Sequence, residues 1–169
     1  MTTKARTVQP KAMGTQALNA VFAVEYKGKT LHFGGGPYRE VLGFKMMTKN
    51  VFKIKAANEQ SGFADVTLPV QDFGVPSYED LNDVVETAIK EAMKKKLVLV
   101  GCGAGWGRTG TVLAAVLAVL GVEDPVTRLR QVYVPQAVET PAQRELVGRF
   151  KHRPWKLRWW RLLAALDLL

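Results

Sequence analysis

A short apolar segment, a glycine-rich loop and an apolar helix follow one another between residues 97 and 121. The segment from Leu97 to Val100 is wholly apolar, which is typical of a strand buried on both faces of a parallel sheet. The run from Thr111 to Leu120 is rich in alanine and leucine and stops at Gly121, so it predicts a buried helix with a glycine at its C-terminal end. Because parallel strands are joined by crossover helices, this unit favours an α/β fold with its ligand site at the carboxyl ends of the strands.

Strand and helix patterns alternate along the rest of the chain. Apolar residues recur at helical spacing from Leu81 to Ala92, and Ser77 followed by Asp80 approximates a capping box, which predicts an amphipathic helix. We interpret residues 34–37 as a plain loop, although their glycines would also permit a close backbone approach. The remaining expected elements are strands at 20–25, 31–33, 51–56 and 63–70 and helices at 125–133, 140–150 and 154–168.

Size and composition favour one α/β domain with a central, mostly parallel, twisted sheet flanked by helices. The 169 residues are enough for a continuous core, and 47% hydrophobic with 23% charged residues is the profile of a globular protein. Residues 1–16 are polar and without periodicity, so we expect a flexible N-terminal arm. We expect the folded domain at 17–152 and a basic, Trp-rich C-terminal helix at 153–169.

Lysine and arginine exceed aspartate and glutamate by 24 to 15, a net charge of +9 that attracts anionic ligands. Phosphorylated substrates, nucleic acid and acidic membranes all qualify, but no obligate nucleic-acid partner is expected. The basic residues near the C-terminus are Arg144, Arg149, Lys151, Arg153, Lys156, Arg158 and Arg161. The expected tail helix also carries an apolar stripe, for which packing onto the domain is favoured over weak contact with a membrane or a partner. The stripe consists of Trp155, Trp159, Leu162, Leu166 and Leu169.

The single cysteine cannot form an internal disulfide, and the first residues lack the apolar run of a secretory signal. Both observations favour a reducing cytoplasm. The longest apolar run, residues 112–122, is shorter than the roughly 20 residues that cross a bilayer, so no membrane span is expected.

The loop between strand and helix places a thiol and a guanidinium six positions apart, at Cys102 and Arg108. A loop so rich in glycine can curl with successive N–H groups pointing inward, and the next helix adds its positive N-terminal end, so a phosphate dianion fits there. The candidate phosphate-binding residues are Gly103, Ala104, Gly105, Trp106, Gly107 and Arg108. Arg108 can bind two phosphate oxygens, while the positive surroundings favour a Cys102 thiolate that attacks phosphorus. Thr109 can donate a hydrogen bond to this thiolate when it leaves.

The string Cys-x-Ala-Gly-x-Gly-Arg-Thr-Gly, complete from Cys102 to Gly110, resembles the signature loop of the cysteine-dependent protein tyrosine phosphatases. The subtype is similar to that of the atypical dual-specificity branch, and the resemblance covers most of the chain. It implies a phosphatase domain at 17–152 that hydrolyses phosphate monoesters through a phosphocysteine intermediate. It implies no cofactor and no metal ion.

Two further segments match the family at the order and distance that it uses. Asp72 is similar in placement to the family's general acid on a mobile loop, although Asp65 lies nearby. Residues 138–143 resemble the segment that positions the hydrolytic water, which implies that role for Glu139 and Gln143. One position departs from the family: its histidine before the nucleophile, which orients the loop and favours the thiolate, is Gly101 here. We therefore expect a lower rate or a higher pH optimum.

The substrate prediction rests on an absence. The sequence lacks the tyrosine-bearing recognition loop of tyrosine-specific members, so the resemblance implies phosphoproteins bearing phosphotyrosine and phosphoserine or phosphothreonine. Phosphoinositides and RNA 5′ phosphates are alternatives. Trp106 at the rim would either stack on an aromatic substrate or pack against a neighbouring loop.

Two other functional classes fit part of the sequence. Residues 105–110 form a GxGxxG string after a strand, which alone is a weak sign of dinucleotide binding and leaves Cys102 and Arg108 unexplained. A lysine after the glycines, as in a P-loop nucleotidase, is absent. An inactive phosphatase relative that binds phosphate without hydrolysis is consistent with Gly101 and the basic tail.

Overall fold

The computed structural model describes residues 6–8, 18–44, 50–59 and 62–150, which form a six-stranded sheet with helices on both faces. The strands are β1 (Arg6–Val8), β2 (Ala20–Tyr26), β3 (Lys29–Pro37), β4 (Val51–Lys55), β5 (Val66–Thr67) and β6 (Leu97–Cys102). The helices are α1 (Tyr38–Gly43), α2 (Tyr78–Met93), α3 (Gly107–Val119), α4 (Pro125–Val132) and α5 (Pro141–Gly148).

The strand order is β1-β2-β3-β6-β4-β5. The pairs β3–β6, β6–β4 and β4–β5 are parallel, whereas β1–β2 and β2–β3 are antiparallel. The predicted mostly parallel α/β sheet is therefore confirmed. Pro37 pairs with Cys102, and Lys55 pairs with Gly101, so β3, β4 and β6 end at one edge of the sheet. The segments that follow these three strands converge there.

The central strand β6 is buried along its whole length, as predicted. Val98 and Val100 belong to the larger core, which includes residues of α2 and α3, whereas Leu97 and Leu99 pack in a smaller cluster with Val41 of α1. Because side chains alternate across a strand, the two clusters lie on opposite faces of the sheet. Packing on both faces fixes the backbone that leads into Cys102.

The helices follow the predicted pattern. Ser77 caps α2, because its Oγ accepts the Asp80 N–H at 3.0 Å. α3 begins at Gly107, inside the predicted loop, and it ends close to Gly121, whose φ of +84° and N–H bond to the Ala118 carbonyl terminate the helix. The helices predicted at 125–133 and 140–150 correspond to α4 and α5.

The interpretation of residues 34–37 as a loop is wrong. β3 continues through all three glycines to Pro37 and pairs with both β2 and β6. A Cβ added at Gly34 would lie 2.7 Å from the Ala20 carbonyl oxygen and 2.8 Å from Val21 Cγ2. Close packing of the strands therefore requires glycine here. The usual association of glycine with turns does not predict this role.

The strand predicted at 63–70 is much shorter than expected. Only Val66–Thr67 pair with Ile54 and Lys55 of β4. Phe63 is fully exposed, and Pro69 has no N–H to donate to the ladder. The alternating sequence pattern from 63 to 70 therefore covers more residues than those that pair with β4.

The predicted arm and tail coincide with the described residues only in part. Within the arm 1–16, Arg6–Val8 form the edge strand β1 against β2, and the other arm residues lie outside the described part of the chain. The tail 153–169, with its expected helix and apolar stripe, also lies outside it, so these stay predictions. Among the helices that the structure describes, none is long and apolar enough to cross a bilayer.

Candidate active site

The glycine-rich loop connects β6 to α3 at the edge where the parallel strands end. Cys102 is the last residue of β6 and is 3% exposed. Residues 103–106 turn the chain, with Gly105 at φ +79°, and α3 begins at Gly107. The candidate phosphate-binding residues thus form one continuous turn between Cys102 and Arg108.

Arg108 lies in the first turn of α3 and extends to the loop that carries Asp72. Its Nη1 donates to the Val70 carbonyl at 2.9 Å, and its Nη2 lies 3.0 Å from Asp72 Oδ1. A Cβ added at Gly103 would be 3.1 Å from Nη2, so the guanidinium also stands beside the turn. Asp65, the other aspartate considered, instead accepts the Lys53 N–H at 2.7 Å. The fold therefore brings Arg108 and Asp72 together beside the loop that follows the cysteine.

Glu59, which follows β4, is a second carboxylate on Arg108. Its Oε1 lies 3.3 Å from Nη2, and both carboxylate oxygens lie 3.4 Å from Nη1. The pKa of Glu59 is lowered, most by a hydrogen bond from its own backbone and further by Arg108 and Lys55, against burial, which raises it. Glu59 is not among the site residues predicted from the sequence. An acidic residue just beyond the carboxyl end of a strand is the one local signal that it offers.

Thr109 is fully buried behind Arg108. Its Oγ1 has no hydrogen-bond partner within the residues that the structure describes. An unpaired buried hydroxyl costs about 1–3 kcal/mol, and a bound group within reach of Oγ1 would relieve that cost. The expected bond from Thr109 to the Cys102 sulfur stays a prediction.

Glu139 and Gln143 lie where α5 meets the start of α3. A Cβ added at Gly107 would collide with the Glu139 carboxylate and would lie 3.1 Å from Gln143 Oε1. Gln143 is fully buried, and its Oε1 accepts the N–H groups of Glu139 at 2.9 Å and Thr140 at 3.2 Å. Its Nε2 donates to the Gly74 carbonyl at 3.1 Å. In this conformation the Gln143 amide links α5 to the loop of Asp72, and its role toward water stays a prediction.

The position before Cys102 has no room for a side chain. A Cβ added at Gly101 would lie 2.7 Å from Tyr38 Cα and 3.1 Å from Val41 Cβ, because α1 begins directly against the end of β6. The family's histidine is therefore excluded here by backbone packing. In this chain the loop must therefore be held in place by residues other than that histidine.

Two residues that the sequence analysis missed hold carbonyl groups of the turn. Tyr133, the C-cap of α4, donates from its Oη to the Gly105 carbonyl at 2.7 Å. Asn19, just before β2, places Nδ2 3.2 Å from the Ala104 carbonyl, 3.3 Å from that of Gly105 and 3.3 Å from Tyr133 Oη. Burial raises the pKa of Tyr133, the Asn19 hydrogen bond lowers it, and the charge of Cys102 raises it further. Neither residue belongs to a motif, and the sequence indicates only that Tyr133 is the last residue of the helix predicted at 125–133.

Comparison with known proteins agrees with this geometry. Residues 45–150, more than half of the chain, match the family described as Swiss Army Knife protein, DSP-PTPase phosphatase domain. Two uncharacterised proteins of Methanocaldococcus jannaschii are each 40% identical to the chain, over 80 and 83 residues. These matches cover 47% and 49% of this chain and 50% and 56% of the relatives. The chain thus matches about half the length of these curated relatives.

Solved structures with the same fold include three phosphatases. Tk-PTP in its active form is 25% identical with a TM-score of 0.60, covering 72% of this chain and 91% of that one. A variant of human DUSP28 is 15% identical with a TM-score of 0.61, covering 70% and 88%. Kinase-associated phosphatase with its catalytic cysteine replaced by serine is 16% identical with a TM-score of 0.57, covering 73% and 86%. The latter two show the fold alone. By its family match, the chain belongs to the DSP-PTPase phosphatase domains, which are dual-specificity-like members of the cysteine-dependent protein tyrosine phosphatase superfamily.

Proposed function

We propose that the chain hydrolyses phosphate monoesters through a phosphocysteine intermediate. The observation that carries the proposal is the position of Arg108, whose buried guanidinium stands beside the loop after Cys102 and lies 3.0 Å from Asp72. A phosphate in the loop would replace the carboxylates as the partner of this guanidinium. The same exchange would free Asp72 to act on the leaving group.

The first step transfers the phosphoryl group to sulfur. The Cys102 thiolate attacks phosphorus, the S–P bond forms, and the P–O bond to the leaving group breaks. Asp72 in its protonated form gives its proton to the leaving oxygen, so an alcohol departs. Arg108 and the N–H groups of the turn stabilise the charge that spreads over the equatorial oxygens.

The second step releases inorganic phosphate. Water attacks the phosphocysteine, the Asp72 carboxylate accepts its proton, and the S–P bond breaks with its electrons returning to the Cys102 sulfur. Thr109 donates a hydrogen bond to the departing thiolate, which fits its unpaired buried hydroxyl. Glu139 and Gln143 orient the water.

Phosphorylated proteins are the substrate class that fits the surface best. Among the described residues, the exposed large hydrophobic side chains are Phe63, Phe73, Val75 and Trp106. Phe73 and Val75 lie in the loop of Asp72, and Trp106 lies in the turn before Arg108, whereas Phe63 precedes β5. An apolar rim suits side chains beside a phosphotyrosine, phosphoserine or phosphothreonine better than it suits an inositol ring or an RNA end. A thiol nucleophile also needs reducing conditions, which supports a cytoplasmic location.

Hydrolysis of p-nitrophenyl phosphate by the purified protein tests the proposal. Turnover should be lost in Cys102→Ser and blocked by vanadate in the wild type, while Cys102→Ser should still bind inorganic phosphate. Phosphate binding by the wild type without turnover would contradict hydrolysis. It would favour the alternative suggested by Gly101, an inactive phosphate-binding module. For an active protein, rates on phosphopeptides, phosphoinositides and uncapped 5′-phosphorylated RNA would rank the substrate classes.

A further inference from the structure

The residues that hold the outer side of the turn point to a positioning device that the family signature does not contain. We propose that Asn19 and Tyr133 form a carbonyl clamp that aims the N–H groups of Gly105 and Trp106 at the bound oxyanion. The clamp holds the turn in a chain whose packing at Gly101 excludes the family's histidine. Both are positioning residues, because they contact the turn through its carbonyl oxygens and act on the oxyanion only through the backbone.

Peptide geometry makes the outer carbonyls control the inner N–H groups. In a planar trans peptide the C=O and the following N–H point in opposite directions, and the described residues contain no cis peptide. The Ala104 carbonyl shares its plane with the Gly105 N–H, and the Gly105 carbonyl shares its plane with the Trp106 N–H. Donors that hold both carbonyls on the outer side therefore hold both N–H groups on the inner side.

The turn needs such donors because its central residue has little preference of its own. Gly105 joins the two planes at φ +79°, and glycine also populates many other values at little cost. Without external donors, either plane can rotate and carry its N–H away from the oxyanion. Asn19 and Tyr133 bond both carbonyls at 2.7–3.3 Å and so favour one orientation.

Each member of the clamp is anchored in the fold. The Asn19 N–H donates to the Gly35 carbonyl at 2.9 Å, at the start of the β2–β3 pair. Tyr133 is 7% exposed, and its N–H bonds to Leu129 in the last turn of α4. The side chains also bond to each other, with Asn19 Nδ2 3.3 Å from Tyr133 Oη. Because burial raises the pKa of Tyr133, its phenol keeps the donated proton at neutral pH.

Binding of inorganic tungstate, together with p-nitrophenyl phosphate kinetics, tests the clamp in the full chain. Tyr133→Phe removes one hydroxyl, and we expect about tenfold weaker tungstate binding and about tenfold lower kcat/KM, from a lost hydrogen bond to a buried acceptor. Asn19→Asp keeps the shape of the side chain but replaces its donors with acceptors that repel the carbonyls. It should therefore lose more affinity than Asn19→Ala. The matched control is Tyr26→Phe at the far end of β2, which should leave both quantities unchanged.

The outcomes separate positioning from mere stability. If Tyr133→Phe and Asn19→Asp retain wild-type tungstate affinity, the clamp is overturned, whatever their Tm. If Tyr133→Phe does not fold, the tungstate affinities of the two Asn19 variants decide. Weaker binding by Asn19→Asp than by Asn19→Ala supports the clamp, and equal or stronger binding overturns it. The inference rests on the proposed function for its kinetic part only. A wild type that binds tungstate without turnover contradicts hydrolysis, yet its affinity series still tests the clamp, whereas a wild type that binds no tungstate overturns both.

Discussion

Two of the three segments that carry carboxylates of the site hold a non-glycine residue in the left-handed region. In the acid loop, residues 71–76, Phe73 has φ +57° beside Asp72. In the segment 137–140, Val138 has φ +60° beside Glu139. Such a conformation costs about 1–2 kcal/mol, so the surrounding structure must impose it. Phe73 is 63% exposed whereas Val138 is fully buried, and the two strains are therefore held in different ways.

The segment 137–140 is fixed by several cationic donors. Arg130 donates to the carbonyls of Ala137 at 2.9 Å and Val138 at 3.0 Å, and Arg144 donates to that of Glu139 at 3.1 Å. The backbone of the acid loop is held by bonds among its own residues and by the Gln143 amide at Gly74, and Arg108 contacts the loop at the Asp72 side chain. In the proposed mechanism Asp72 exchanges Arg108 for the leaving group, and it lies on the segment whose backbone carbonyls accept no arginine hydrogen bond among the described contacts. The Glu139 carboxylate lies on the segment whose carbonyls are bonded by Arg130 and Arg144.

The largest effects are expected when one carboxylate is removed at a time. Asp72→Asn should lower kcat about 100-fold or more on phenyl phosphate, because its leaving group needs a proton, and less on p-nitrophenyl phosphate. Glu139→Gln should cost at most about tenfold on either substrate. Steady-state kinetics on the two esters measures both effects. A larger loss in Glu139→Gln would reverse the roles assigned to the two segments.

Breaking the link between the segments should have the next largest effect. Gln143→Met removes three hydrogen bonds, which should lower the free energy of unfolding by about 2 kcal/mol and lower kcat several-fold as the acid loop loses Gly74. Thr140→Ala removes the α5 cap but keeps the bond to Gly74. It should cost about 1 kcal/mol of stability with a smaller change in kcat. Urea unfolding and kinetics of both variants measure this, and equal losses of kcat would show that the link to Gly74 has no role.

Relieving each strain separately should give effects of opposite sign. Val138→Gly should lower the free energy of unfolding by about 1–2 kcal/mol, because the lost burial of valine outweighs the relieved φ. Phe73→Gly loses little packing and should raise the free energy of unfolding by about 0.5 kcal/mol. Urea titrations of the two variants give the values. A stabilised Val138→Gly would mean that strain, and not burial, dominates in the segment 137–140.

The smallest expected effect concerns Glu59, which shares Arg108 with the acid loop. Its pKa in the folded protein is lowered, so ionised Glu59 stabilises the fold above the ordinary value of 4.5, and this contribution is lost as pH falls through the lower folded value. The difference in urea midpoint between the wild type and Glu59→Gln should therefore shrink below pH 4.5. A difference that stays constant on acidification would show that the charge of Glu59 does not contribute.

The parts of the site whose residues are consecutive in sequence can be predicted, whereas contacts between distant residues cannot. The strand, turn and first helical turn from Leu97 to Arg108 are consecutive, so hydrophobic pattern and glycine content suffice to predict them. Arg108 and Glu59 are 49 residues apart, and Asn19 and Tyr133 are 114 apart. Only the placement of β2, β4 and α4 around β6 brings these residues together, and no local pattern encodes it. The glycines of β3 were misinterpreted for the same reason, since the backbones that crowd them come from other strands.

The contact between α1 and the end of β6 restricts the sequence changes open to this chain. A histidine at Gly101 would have to displace the backbone of Tyr38, which no rotamer change can relieve. An imidazole at this position is therefore incompatible with the present start of α1. The packed start of α1 and a histidine before Cys102 thus exclude each other, so a chain with this placement of α1 must hold its turn by other contacts.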